Sequence, residues 1–104
     1  MILVSTDYIS GKELETLELV KGSIIQARHL GSDIVSVLKG LVGGELVGYS
    51  EMFTDARRKA TKRMVEQAEN LGADAIVNVR YTSSDIRSNA SEILVYGTAV
   101  KFKE

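Results

Sequence analysis

Apolar and polar residues alternate along three stretches of this chain, and in two others they recur at helical spacing. From Leu14 to His29 the text reads as one long strand or two in line. Leu17 and Leu19 share one face there, while Glu18 and Val20 take the other. Gly22 predicts a bulge or bend before Ile24-Ile25. Ile34, Val37, Leu38 and Leu41 then follow at i, i+3, i+4 and i+7, which predicts a helix. Ser32 or Asp33 stands where a side-chain oxygen can cap it, and Gly40, Gly43 and Gly44 end it.

The second helical pattern is the clearest in the chain. Met52, Phe53, Ala56, Ala60, Met64, Ala68 and Leu71 form an apolar stripe with Val65 at its border, and Glu51, Asp55, Arg58, Lys59, Lys62, Glu66 and Glu69 face away. Asp55 reaches Lys59 and Lys62 reaches Glu66 at i,i+4, pairs worth about a few tenths of a kcal/mol each. The stripe therefore supplies the folding drive. Gly72 is placed to take the left-handed position that closes the helix.

Two more strands are predicted. Ala75 to Thr82 sets Ala75, Val77, Val79 and Tyr81 against Ile76, Asn78, Arg80 and Thr82; Ser83 to Ser91 reads as a polar connection. From Glu92 to Phe102, Leu94, Tyr96, Thr98, Val100 and Phe102 oppose Ile93, Val95, Gly97 and Ala99, with no charge between Glu92 and Lys101. An uninterrupted strand of this kind belongs in the middle of a sheet. Gly97 and Ala99 would let the second helix approach. The expected architecture is α+β: a three-stranded antiparallel sheet with the last strand central and the helices on one face. Leu94, Tyr96, Val100 and Phe102 would then look outward from the uncovered side, an association surface for a second copy.

Composition narrows this picture. At 104 residues, 44% of them hydrophobic, residues 1–104 form one domain with a modest core. Thirteen basic and 14 acidic residues leave a net charge of −1, which argues against nucleic acid or an anionic membrane as partner. The chain has no cysteine, so disulfides, Cys-ligated zinc and thiolate catalysis are excluded, and a reducing cytoplasm is the expected compartment. The apolar start, Met1 to Val4, lacks the form of a signal peptide, and Ile34 to Val42 is too short and interrupted to span a membrane.

Candidate chemistry is sparse. His29 is the single histidine; Asp33 lies four residues on, and Glu45 follows the glycine turn. His29, Asp33 and Glu45 could hold a divalent metal ion if the fold brings them together, which their spacing alone does not; a histidine at a strand end, bonded locally or solvated, is the plainer reading. Gly43, Gly44 and Glu45 lie in Gly40-Leu41-Val42-Gly43-Gly44-Glu45-Leu46, where glycines can turn N–H groups toward an anion. The segment lacks the Lys-Ser/Thr ending of a P-loop, and a tight inter-helix turn or a subunit contact is the plainer reading. Arg57, Arg58, Lys59, Lys62 and Arg63, bracketed by acids, read as a solvated helix face. Met52 and Met64 lie on the apolar stripe and read as core.

Ala27-Arg28-His29, Gly31-x-Asp33-Ile34, Leu41-Val42-Gly43-Gly44-Glu45-Leu46, Ala56-Arg57, Arg63-Met64, Leu71-Gly72-Ala73-Asp74-Ala75, Asn78-Val79-Arg80 and Tyr96-Gly97-Thr98-Ala99-Val100 resemble the YbjQ-like family, which is labelled for heavy-metal binding. The resemblance implies a dodecin-like β-α-β-β subunit with a three-stranded antiparallel sheet. It also implies a closed homo-oligomer, with a pentamer favoured. His29 and Glu45 occupy family-like positions. Two functions follow as expectations. One is a homo-oligomeric protein of unknown physiological role that binds a small ligand or metal; the other is a small hydrolase or lyase using His29 with Asp33 or Glu45 as acid and base. The sequence leaves enzyme or binding protein open.

Overall fold

The computed structural model describes residues 1–27, 41–42, 45–87 and 90–103. The elements are β1 (Ile2–Leu3), β2 (Leu14–Ala27), β3 (Leu41–Val42), β4 (Glu45–Leu46), α1 (Val47–Asn70), β5 (Ala75–Arg87) and β6 (Ala90–Phe102). Strands β1, β5, β6 and β2 lie side by side in that order as one open sheet, and α1 packs mainly over β2 and β6.

The expected three-stranded antiparallel sheet of the dodecin-like β-α-β-β arrangement is corrected by this topology. The sheet has four strands and is mixed, because β1 runs parallel to β5 with Ile2 opposite Ala75 and Leu3 opposite Ile76. The physical reason lies at Asn78, whose φ of 54° puts it in the left-handed region. Val77 stands opposite Thr98 and Arg80 opposite Tyr96, so Asn78 and Val79 together face a single partner as a bulge. Their N–H groups turn outward, Asn78 donating to the Thr6 carbonyl at 2.8 Å and Val79 to the Val4 carbonyl at 3.0 Å. Val4 N–H returns a bond of 3.0 Å to the Ile76 carbonyl. A two-residue strand carries no readable period, so this partner is invisible to alternation.

The same bulge re-sorts the faces predicted for β5. Ile76 and Val79 both join the core under the helix, while Ala75 and Val77 face the other side. Tyr81 also turns toward α1, its hydroxyl 2.8 Å from the Thr61 hydroxyl.

Helix α1 begins at Val47, earlier than the stripe suggested, and the stripe is narrower than read. Ala56, Ala60, Met64 and Ala68 are buried at every fourth position, with Phe53 and Val65 packed beside them. Leu71 has left the helix and is exposed. Gly72, at φ 74°, ends the helix in a Schellman arrangement: Gly72 N–H donates to the Glu69 carbonyl and Ala73 N–H to the Ala68 carbonyl, each at 3.0 Å.

Small side chains on α1 bring it close to β2. The point of closest approach is Gly22, where an added Cβ would lie 2.6 Å from the Met64 amide nitrogen. Gly22 is thus not a bend. It pairs in register with Val95, and the irregularity in β2 falls between Thr16 and Glu18. Gly97, expected to admit the helix, is crowded instead by its own sheet, with the Ile76 side chain 2.7 Å from a Cβ built there.

The sheet's second face is covered at one end. Val4 and Ile9 from the N-terminal segment, with Leu14 and Phe102, pack on Ala75, Val77 and Val100. Val100 is consequently only 2% exposed, against the expectation that it would look outward. Farther along, Leu19 (66%), Ile25 (64%) and Tyr96 (39%) remain open. The polar run from Ser83 to Ser91 is strand rather than connection over most of its length. Ser83 pairs with Ile93, Ser84 with Glu92 and Asp85 with Ser91. The first predicted helix lies outside the described residues except for Leu41, which belongs to β3.

Candidate functional site

His29 and Asp33 lie outside the described residues, as do Gly43 and Gly44. Glu45 is placed by its backbone: it opens β4 and pairs with Val42 across a small two-stranded sheet. The turn or subunit contact expected at Gly43-Gly44 lies outside the described residues. Leu46, the last residue of β4, leads directly into α1 at Val47. The proposed ligand trio is not brought together among the described residues. The acid–base pairing of His29 with Asp33 or Glu45 likewise acquires no geometry there. No helix among the described residues is long and apolar enough to cross a membrane.

Among the described residues, no cluster of three or more His, Asp or Glu side chains is arranged to hold a metal ion. The chain as a whole has no thiolate and a single imidazole, so its donor set is mainly carboxylate and carbonyl oxygen. Such a set does not fit a thiophilic heavy metal; it suits a harder divalent cation.

Four of the five cations in the basic run on α1, Arg57, Arg58, Lys59 and Arg63, have local partners. Arg58 Nη1 lies 3.4 Å and Lys59 Nζ 3.1 Å from the Asp55 carboxylate, and Arg57 Nη2 donates to Thr54 Oγ1 at 3.2 Å. Arg63 reaches farther, donating from Nη1 to the Ser23 carbonyl at 2.7 Å. These cations thus bond within the helix and to the edge of β2.

Two polar features escaped sequence reasoning. Gln67 Oε1 accepts the Lys21 N–H at 3.0 Å, so together with Arg63 it covers the outer edge of β2 at Lys21 and Ser23. Ser91, buried at 3% exposure, donates from Oγ to Asp85 Oδ1 at 3.0 Å across the β5–β6 ladder. Both depend on residues distant in sequence or paired through register, and neither leaves a periodic signal.

The accessible surface is 6947 Å². A compact monomer of 11.4 kDa exposes about 5,800 Å². The radius of gyration is 17.1 Å, where a compact chain of this length has about 13 Å, and the molecule measures 56 × 27 × 16 Å. Among the described residues, nothing covers Leu19, Ile25 and Tyr96 on the face away from α1.

Comparison with known proteins gives a consistent relationship. A YbjQ family model described as "Putative heavy-metal-binding" matches residues 1–103. A UPF0145 protein of Alkaliphilus metalliredigens is 66% identical over 102 residues, covering 98% of this chain and 99% of its own. One from the archaeon Methanosarcina acetivorans is 58% identical over 102 residues, covering 97% and 96%. A crystal structure from Pediococcus pentosaceus, titled as a protein of unknown function in the DUF74 family, shares the fold with a TM-score of 0.75. That match covers 99% of this chain and 98% of the other at 14% identity. The chain belongs to the YbjQ, or UPF0145, family.

Proposed function

We propose that this chain is the subunit of a closed cytoplasmic homo-oligomer that holds a small ligand or a divalent cation near its subunit contacts. The observation that carries the reading is the surplus of exposed surface, about 1,200 Å² beyond that of a compact monomer of this mass. A standard interface removes about 800 Å² from each partner, so a subunit with this surplus has room for one. Apolar side chains left on the uncovered face would contribute about 25 cal/mol for each Å² they bury. A ring of five is what the family resemblance implies, and cyclic closure would satisfy every contact without an open end.

The ligand half of the proposal rests on the segment from His29 to Glu45. Asp33 and Glu45 would supply oxygen donors and His29 an imidazole, and the Gly43-Gly44 pair is of the residue type whose backbone N–H groups can face an anion. Light scattering coupled to size exclusion at micromolar concentration tests the assembly; a mass near five times the 11.4 kDa chain is expected, and a single-chain mass refutes it. Protein purified without tag or chelator, titrated calorimetrically with Mg²⁺, Mn²⁺ and Zn²⁺, tests the cation. Heat and stoichiometry near one ion per subunit are expected, and less than stoichiometric uptake of all three removes the metal reading.

A further inference from the structure

The two long edges of the sheet are treated differently. On β2, the helix side chains Gln67 and Arg63 reach over the edge and take the Lys21 N–H and the Ser23 carbonyl. On β5, the N-terminal segment serves the same purpose only as far as Val79. Beyond Arg80, among the described residues, no strand lies on the outer side.

Which groups point outward follows from the ladder. Lys21 turns its N–H away from β6, so its partner Tyr96 bonds toward β5, and Arg80 opposite Tyr96 bonds back to β6. Tyr81, Ser83 and Asp85 must then present their N–H and C=O groups outward. The outward bond from Val79 N–H to Val4 agrees with this alternation. From Tyr81 to Ser84 the strand carries no proline, charge or bulge, the usual devices that keep an edge from pairing, and the next irregularity falls between Asp85 and Arg87. Tyr81 and Ile86 are large, exposed side chains on the same strand.

We infer that the outer edge of β5 from Tyr81 to Asp85 is the surface on which a second copy of this chain adds a strand. The inference rests on the self-assembly proposed above and names where one contact forms. A second copy is the occupant because the surplus surface is of the size such a contact buries, whereas a short added peptide would leave most of it exposed.

The edge can be read directly by hydrogen exchange on the wild-type protein, resolved to single residues and run beside light scattering. In particles heavier than one chain, the amides of Tyr81, Ser83 and Asp85 should exchange at least about 100-fold more slowly than unprotected amides. Arg80, Thr82 and Ser84, bonded to β6, serve as the protected reference. A paired variant adds a second readout. Ser83→Pro removes one outward N–H and should lower the particle mass, whereas Ser83→Ala keeps it and should not. Unprotected outward amides within an assembled particle overturn the β5 contact while leaving self-assembly standing. Protection in a particle of single-chain mass overturns it too, since the cover would then come from the same chain. A single-chain mass with open amides defeats both proposals.

Discussion

Gly22 of β2 and Met64 of α1 meet backbone to backbone, a Cβ on Gly22 falling 2.6 Å from the Met64 nitrogen and close to the Ala60 carbonyl oxygen as well. Neither atom can rotate away as a side chain would. The helix can lie this low because Ala56, Ala60 and Ala68 present only methyl groups on either side of Met64.

Gly22→Ala should therefore force α1 off the sheet. Overpacking of this kind costs about 3 kcal/mol, enough to lower Tm by more than about 10 °C in a chain of this length. Thermal unfolding at fixed protein concentration checks it. A melting curve matching wild type would mean that the helix is seated elsewhere.

Met64 and Asp55 separate packing from surface charge on one helix. Met64 is fully buried, so Met64→Ala should destabilise by about 2–5 kcal/mol in urea titration. Asp55 sits half exposed with two partly screened cations, Arg58 and Lys59. Asp55→Ala should change stability by less than about 0.5 kcal/mol.

Asn78 holds the bulge with a positive φ that its side chain tolerates better than most. Asn78→Ala should cost about 1 kcal/mol, and Asn78→Gly should stay within about 0.5 kcal/mol of wild type. Equal losses for both variants would show that the Asn side chain, rather than the backbone conformation, is what matters.

Val4 joins the cluster formed by Ala75, Val77 and Val100, while Tyr8 on the same segment is exposed. Val4→Asp should destabilise by about 2 kcal/mol, because a carboxylate would be placed among apolar groups. Tyr8→Asp should fall within about 0.5 kcal/mol. Comparing the two urea midpoints shows whether the segment packs as a cover or merely lies on the sheet.

The sequence by itself determined the elements whose signal is local and repeated. The stripe through Ala56, Ala60, Met64 and Ala68 names a helix and its buried face, because residues four apart share one side. Gly72 marks the end of that helix because only a residue without a Cβ adopts its φ cheaply. The alternation of Ile93, Val95 and Ala99 against Leu94 and Tyr96 orients β6 for the same kind of reason.

Tertiary structure decided what depends on a partner distant in the chain. Ile2–Leu3 becomes a strand only because the Asn78 bulge turns two N–H groups toward the carbonyls of Val4 and Thr6. Ser83 to Asp85 is strand because β6 runs beside it, although its own composition reads as loop. Gly22 is a contact and not a bend because α1, some forty residues later in the chain, descends onto it. The candidate donors His29, Asp33 and Glu45 were legible as residue types, since imidazole and carboxylate have fixed chemistry wherever they stand. Whether such groups converge is set by chain paths and subunit contacts, which no spacing within one sequence encodes.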